Sequence, residues 1–428
     1  MRRAALFTTL LTMVMLPAAA ADWSLQKTLE HAATASPALQ QARLRALEQD
    51  SQALVTRAGL GPQVGISLSQ SYQTSNLQGI GITFPGVPSR IGPYRVMDAR
   101  PRLTQTVLDM SLLSRYRAER ARAGQLKEDA AALAEQTRLA VIDLYLQALE
   151  SGSRARAAKA REETAQAVWK QTLDAEEAGT GNKLEVVRAA QRLESERTAG
   201  VLAKRDREVL LTLLKKTAGL EQAETVELAE LVAGELPALT VEDALKARPE
   251  MRALDAKGRA LEADRVAVQR ERWPRVTAFG DFGALGADPT DAVSTYTVGV
   301  SVQIPVWTSG RISNEVKAAA QRIEQWEQEK RALRLQVSQE LTRAALEREA
   351  AAEAEKLAGR AAAAAREVLE LSRLRYGAGL TGSLDVATAQ GNLALAEEEA
   401  IRTRYQSLTA AARMAAAQGN VMAFLSGR

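Results

Sequence analysis

Along most of the chain apolar positions recur every three or four residues, and in a few short windows they recur every second residue. From Arg311 the apolar series runs Ile312, Val316, Ala319, Ile323, Trp326, Leu333, Val337 and Leu341, with Lys330 filling one slot. Steps of three and four make a heptad seam, the mark of a helix packed along a narrow stripe. The flanking charges Glu315, Lys317, Arg322, Glu324, Glu327, Glu329, Lys330 and Arg331 fit a solvated face. Between Gly310 and Tyr376 lie about 67 helical residues, which at 1.5 Å each make a rod of about 100 Å.

The period-two windows are different in kind. Val64, Ile66, Leu68 and Tyr72 alternate with Gly65, Ser67, Ser69, Ser71 and Gln73. Tyr296, Val298, Val300, Val302 and Ile304 alternate with Thr295, Thr297, Gly299, Ser301 and Gln303. About ten residues, apolar on one face and small or polar on the other, are the pattern of a transmembrane β-barrel strand. A soluble sandwich strand with one wet face would show the same alternation in a single segment. Two further windows are less regular. Met97, Ala99, Leu103 and Val107 share a face opposite Asp98, Arg100, Arg102 and Thr104, but Pro101 falls on the apolar face. Phe279 and Leu285 blur the alternation from Val276 to Leu285. Asp98, Arg100 and Arg102 are expected to face a barrel lumen. Trp273 and Trp307 bracket the second strand pair on one side, where a membrane-interface girdle would sit. The loops at 74–93 and 286–292 would then face outside. Four strands cannot close a barrel, since about eight is the practical minimum. Unpaired backbone edges in lipid cost several kcal/mol each. Several subunits must therefore pool their strands.

Proline placement frames these elements. None occurs from Arg102 to Leu236 or after Pro305, and an interior proline costs a helix about 3 kcal/mol. Two long proline-free tracts are thus open to long helices. Pro37 and Pro249 stand 212 positions apart, and so do Pro62 and Pro274. Gly179, Leu184, Glu185 and Val186 match Gly379, Leu384, Asp385 and Val386 at a spacing of 200. An internal twofold repeat follows. The expected organisation is a signal peptide at 1–21 and a first repeat at 22–236, with two strands near 63–107, a long helical hairpin at 109–218 and a linker from 219. The second repeat spans 237–428, with a helix at 249–273, two strands near 275–305 and a long hairpin at 310–419.

Composition narrows the functional classes. The chain is 46% hydrophobic but only 4% aromatic, so alanine carries much of the apolar content, as suits long helices with thin seams. A net charge of +4 with no basic, aromatic-interleaved patch gives no sign of a nucleic-acid partner. Arg2 and Arg3, the apolar run Ala4 to Leu16 and the small residues Ala18 to Ala21 read as a secretory signal. With no cysteine there is no disulfide, no thiolate chemistry and no lipidated N-terminus. His31 is the only histidine, and a lone histidine without a partner does not make a catalytic site. Carboxylate clusters such as Glu162-Glu163 and Glu397-Glu398-Glu399 fall on helices and are expected to be solvated. The expectation is a protein that is not an enzyme and binds no cofactor or metal.

With the repeat, the strands and the rods in place, the chain resembles the TolC family of outer-membrane efflux and secretion channels. Ile304-Pro305-Val306-Trp307-Thr308-Ser309-Gly310-Arg311 is similar to the family's strand-to-helix junction, and Thr106 to Ser111 is a degenerate first copy. Arg375-Tyr376-Gly377-Ala378-Gly379-Leu380-Thr381-Gly382-Ser383-Leu384-Asp385-Val386 is similar to the family's R-Y-x-x-G-x-x-S-x-L-D-V turn. The resemblance implies an α+β membrane protein: a homotrimer with a twelve-stranded β-barrel, four strands per protomer, continued by a twelve-helix α-barrel of coiled-coil helices. It also implies location in the outer membrane of a Gram-negative-type bacterium, with the helices extending into the periplasm. A periplasmic adaptor (membrane fusion protein) and an inner-membrane pump would be its partners. Gly179 and Gly379 would be turn glycines touched by adaptor hairpins. Tyr376 and Asp385 would sit in the periplasmic aperture, with Glu185 replacing the aspartate in the first copy. Leu184, Val186, Ser383, Leu384 and Val386 belong to the same turns. Glu176 stands where Tyr376 has its counterpart, and Thr388 where a second acidic residue can occur. The implied function is a passive efflux duct for small molecules. The alternative within transport is the outer-membrane component of a type I protein secretion system. A periplasmic adaptor would show one hairpin without whole-chain duplication, and a soluble coiled-coil scaffold would need no alternating strands.

Overall fold

The computed structural model describes residues 21–425 except 78, 80, 82–84, 87, 222–225, 232–238 and 379. The expected signal peptide therefore lies, but for its last residue, outside the described residues, and so does Gly379. The elements run β1 (Ala21–Trp23), α1 (Leu25–Ala35), α2 (Pro37–Ala58), β2 (Pro62–Asn76), β3 (Arg90–Leu108), α3 (Met110–Glu177) and α4 (Lys183–Ala218), then β4 (Val226–Leu228), α5 (Val241–Ala247), α6 (Pro249–Arg270), β5 (Arg275–Gly286), β6 (Val293–Gln303), α7 (Arg311–Gly377) and α8 (Ser383–Ala417). A short 3-10 segment, Val421–Leu425, follows. The hairpins expected at 109–218 and 310–419 correspond to α3–α4, ending at Ala218, and α7–α8, ending at Ala417. The helix before the second strand pair, expected at 249–273, ends three residues earlier at Arg270, because the turn at Glu271–Trp273 releases the chain before Pro274.

Two compact units form. One comprises residues 41–133 and 245–338, and the other residues up to 40, 134–244 and 339 onward. The first unit holds a four-stranded antiparallel sheet in the order β2-β3-β5-β6. Val64 pairs with Leu103, Leu103 with Gly280, and Gly280 with Val298, so one face of the sheet runs apolar across all four strands. Those side chains point outward: Leu68 and Val298 are each 79% exposed. Facing the other way, Arg102 is opposite Gly65 and Asp281, and Asp281 is opposite Thr297.

Pro101 lies inside the sheet on the interior strand β3, a place proline normally avoids because it brings no N–H to the ladder. The β3–β5 register is unbroken from Ala99↔Ala284 to Arg102↔Asp281, yet Arg100 and Pro101 form no pair with β5. Gly283 fills the narrow space beside them. A Cβ there would stand 2.3 Å from the Cβ of Arg100 and 2.6 Å from the carbonyl oxygen of Ala99. Phe279, which blurs the alternation, lies on the polar face over Gly299, whose Cβ would fall 2.7 Å from the Phe279 ring. The irregular windows thus remain strands, held open by glycine.

In the same unit α6 and α7 pack through Trp326. Its indole N–H donates to the Leu254 carbonyl at 2.7 Å, and Gly258 leaves the space for the ring. Lys330, the polar member of the apolar seam, reaches Asp255 at 2.5 Å and lies 5.4 Å from the Trp326 ring centre. Glu329 pairs with Lys257 at 2.5 Å. These two charges are therefore engaged across helices rather than simply solvated.

The second unit carries a conventional core. Leu29, Val141, Ile142, Tyr145, Leu146, Leu214, Val421 and Phe424 are fully buried. The Tyr145 hydroxyl donates toward the carbonyls of Trp23 and Ala229 at 3.0 and 2.9 Å, tying α3 to β1 and to the segment after β4. The parallel pair β1–β4 and the helix α1 lie in what the sequence pattern presents only as a lead-in and a linker. His31 is half-buried there, edge-on to Trp23 with ring centroids 5.5 Å apart. Among the described residues, no helix is long and apolar enough to cross a membrane.

Candidate functional site

Most of the residues singled out from the sequence fall at two places. The first is the polar face of the sheet. Arg100 donates to Asp98 at 2.6 Å and to Asp281 at 2.8 Å, and Arg102 lies 3.8 Å from Asp281. Asp98, Arg100 and Arg102 are thus brought into one ion-pair network. Its centre is Asp281, which sequence reasoning did not single out. The signal was available: Asp281 is the acidic residue on the polar register of β5. Its carboxylate is nearly buried beside the two guanidinium groups, and burial of this kind is tolerated only with such partners.

The two strand-to-helix junctions, before α3 and before α7, differ. Asp109 caps α3, accepting from the Leu112 amide at 2.9 Å and the Ser111 hydroxyl at 2.7 Å, with Arg275 at 2.7 Å. Burial works against its charge, but these hydrogen bonds and Arg275 outweigh it and hold the carboxyl below its ordinary range. Before α7 the chain turns instead through Ser309 and Gly310, both with positive φ (49° and 79°). Glu271 receives Arg115 and also Arg311, the latter at 2.8 Å. The Glu271 contacts hold the Arg311 guanidinium above its usual value. Trp273 and Trp307 flank the paired end Arg275↔Gln303 and are exposed.

The second place is the pair of turns between the long helices. After α3, Gly179 adopts φ 73° and its N–H donates to the Glu176 carbonyl, while Thr180 and Gly181 both donate to the Ala175 carbonyl. Gly181 passes so close to Glu176 that a Cβ would meet its amide nitrogen at 2.7 Å. Asn182 caps α4 by accepting from the Leu184 amide at 2.9 Å. Leu184 is exposed, Glu185 half-buried and Val186 buried. After α7, Leu380 donates to the Arg375 carbonyl at 2.9 Å, and the Thr381 hydroxyl donates to Asp385. Tyr376, Leu384 and Asp385 are exposed and Val386 is half-buried, while Ser383 opens α8. Glu176, near the end of α3, sits 3.5 Å from Lys183. Thr388 donates to the Leu384 carbonyl at 2.8 Å.

The outer membrane efflux protein family profile matches residues 28–220 and 240–420. No curated protein sequence matches the chain. Among solved structures, the fold is similar to a membrane protein from Pseudomonas aeruginosa, with TM-score 0.81, 18% identity, and coverage of 92% of this chain and 90% of that one. It is also similar to the CmeC outer membrane channel of Campylobacter jejuni, with TM-score 0.80, 16% identity, and coverage of 92% and 85%. The open-state MtrE outer membrane channel of Neisseria gonorrhoeae gives TM-score 0.79 at 19% identity, over 93% and 89% of the chains. With most of its length matched by the profile and its fold shared with such channels, the chain belongs to the TolC-type family of outer membrane efflux proteins.

Proposed function

We propose that this chain is the outer-membrane channel of a tripartite efflux system, a passive duct assembled from three copies. The observation that carries the reading is the sheet. Its apolar face is largely exposed, most of all on β2 and β6, its opposite face is small and charged, and β2 and β6 are free edges. Water is a poor solvent for that apolar face, and lipid is a poor solvent for the edges. Both problems are solved when β6 of one protomer pairs with β2 of the next and twelve strands close a ring. The element order helix, strand, strand, long helix, helix occurs twice, which supports an internal twofold repeat with domains at 22–236 and 237–428.

In such an assembly Asp98, Arg100, Arg102 and Asp281 line the barrel lumen, and Trp273 and Trp307 mark the membrane interface. The turns at Gly179 and Gly379 meet a periplasmic adaptor, which couples the channel to an inner-membrane pump. Tyr376 and three copies of Asp385 ring the aperture, and a ring of carboxylates favours cations. Small toxic molecules such as drugs or metals are the proposed cargo.

The test is direct. Membrane fractionation and light scattering in detergent should recover outer-membrane particles of three chains. A monodisperse monomer, or recovery from the soluble periplasmic fraction, would end the proposal. In planar bilayers Asp385→Asn should lower the cation-to-anion permeability ratio, and an unchanged ratio removes Asp385 from the aperture.

A further inference from the structure

The ladder between β3 and β5 is broken at one level. Ala99 pairs with Ala284 and Arg102 with Asp281, but Arg100 is not paired with Gly283, nor Pro101 with Phe282. Residues facing each other on antiparallel strands either exchange both hydrogen bonds or are framed by the bonds of their neighbours. Both absent pairs therefore need the same bond, from the nitrogen of residue 101 to the Phe282 carbonyl. Proline has no N–H to give. The β2–β3 ladder on the other side is unbroken from Pro62↔Gln105 to Gln73↔Tyr94, so it is toward β5 that the donor is missing.

The ion pairs of the polar face stand at this level. Arg100 immediately precedes Pro101, and Asp281 immediately precedes Phe282. Arg100 Nη1 donates across the strands to Asp281 at 2.8 Å, and its Nε donates to Asp98 at 2.6 Å. Arg102, just beyond Pro101, lies 3.8 Å from the same Asp281 carboxylate. The Arg100 and Asp281 side chains are 15% and 6% exposed, and a charged hydrogen bond sheltered from water is the stronger for it. Gly283 makes room for the Arg100 stem, since a Cβ there would collide with Arg100 Cβ. Two further ion pairs lie at the ends of the sheet, away from the break: Arg95 with Asp288 in the β5–β6 loop, and Arg275 with Asp109 beyond β3.

We infer that Arg100 and Asp281 form a side-chain clasp that stands in for the hydrogen bond Pro101 withholds, and so closes the join between the two hairpins. A charge-assisted bond between part-buried groups is stronger than the neutral backbone bond it replaces. Asp281 is then the positioning residue of the join, with Arg102 as a second, more weakly held cation. The clasp lies wholly within one chain and does not depend on subunit number, cargo or the aperture. A monomer in detergent would end the proposed duct and leave the clasp standing.

The experiment is hydrogen–deuterium exchange of the full chain in detergent, read by mass spectrometry. Asp281→Asn should speed exchange of the β5 segment 275–286 by about ten-fold, and of 62–73 in β2 by less than about two-fold. Pro101→Val supplies the missing N–H and should by itself slow exchange in 275–286. In the Pro101→Val background, Asp281→Asn should then speed exchange by no more than about three-fold. Arg95→Gln removes an ion pair away from the break and should leave the β5 segment within about two-fold of the parent. Should Asp281→Asn alone yield no folded chain, the double variant is expected to recover it. Equal acceleration in both backgrounds, no acceleration by Asp281→Asn, an equal response to Arg95→Gln, or a double variant that stays unfolded overturns the inference.

Discussion

The two units solve opposite solvent problems with the same apolar residue types. Around Tyr145 large apolar side chains are fully buried, whereas on the sheet Leu68 and Val298 are almost as exposed as free side chains. A helical core hides its apolar surface within one chain. The sheet presents it outward on every strand, and only a non-aqueous surrounding makes that arrangement stable. The difference shows that burial within a single chain measures which solvent each surface is built for.

The largest effect should come from exchanging these roles. Tyr145→Ala removes a buried ring and two carbonyl contacts, and denaturant unfolding should show a loss of about 3–5 kcal/mol. Leu68→Ala, at the same test, should cost under about 1 kcal/mol. Leu68→Arg should instead hinder membrane insertion by about 2–4 kcal/mol, read as depletion from the outer-membrane fraction. If Leu68→Ala were as damaging to unfolding as Tyr145→Ala, the contrast would fail.

Glycines sharpen the comparison at intermediate size. A Cβ at Gly258 would stand 2.4 Å from Trp326 Cζ2, so Gly258→Ala should destabilise the sheet-bearing unit by about 1–3 kcal/mol. Gly391 in α8 has nothing within 4 Å of its Cβ position. Gly391→Ala should therefore add about 0.5–1 kcal/mol of stability. Thermal unfolding of both variants decides the matter.

The smallest effects concern two aspartates of opposite sign. The carboxyl of Asp109 is held below its ordinary 3.8. Its folded value lies under the unfolded one, so its contribution is present above about pH 3.8 and disappears as pH falls further. Asp143 is pushed up by burial, with only Arg413 at 3.8 Å opposing. Its folded value lies above the unfolded one, so the protein gains stability as pH falls through that raised value, and the charged form is a cost at neutral pH. Asp143→Asn should raise the midpoint at pH 7 by up to about 1 kcal/mol of stability, and Asp109→Asn should lower it by a similar amount. Two midpoints moving the same way would contradict the assignment.

How much of this was legible from residues alone depends on element length. The rods and β2 and β6 follow from periodicity because each runs for many periods. β1 and β4 are three residues each, too short for any alternation to register, so the floor of the helical core was not visible. The charges on β3 were visible by register, but the pairing of β3 with β5 was not. Asp281 becomes their partner only through contact across the chain. The ion pairs of Arg161 were hidden for the same reason: Glu196 and Glu398 reach it from other helices. Local pattern shows a residue's face, and only topology supplies what lies opposite.

The β3–β5 join also sets an order of events during synthesis. Arg100 and Asp281 are 181 positions apart, so this seam cannot be drawn together until α3 to α6 have emerged. Loop closure over that length adds entropy cost and slows pairing. The hairpins β2–β3 and β5–β6, closed over much shorter loops, are expected to pair before that seam. The missing ladder pairs at Arg100 and Pro101 leave their junction the least zipped part of the sheet. Nascent chains stalled before residue 286 would then hold β3 as an unpaired edge, a natural substrate for chaperones that shield exposed strands on the way to the membrane.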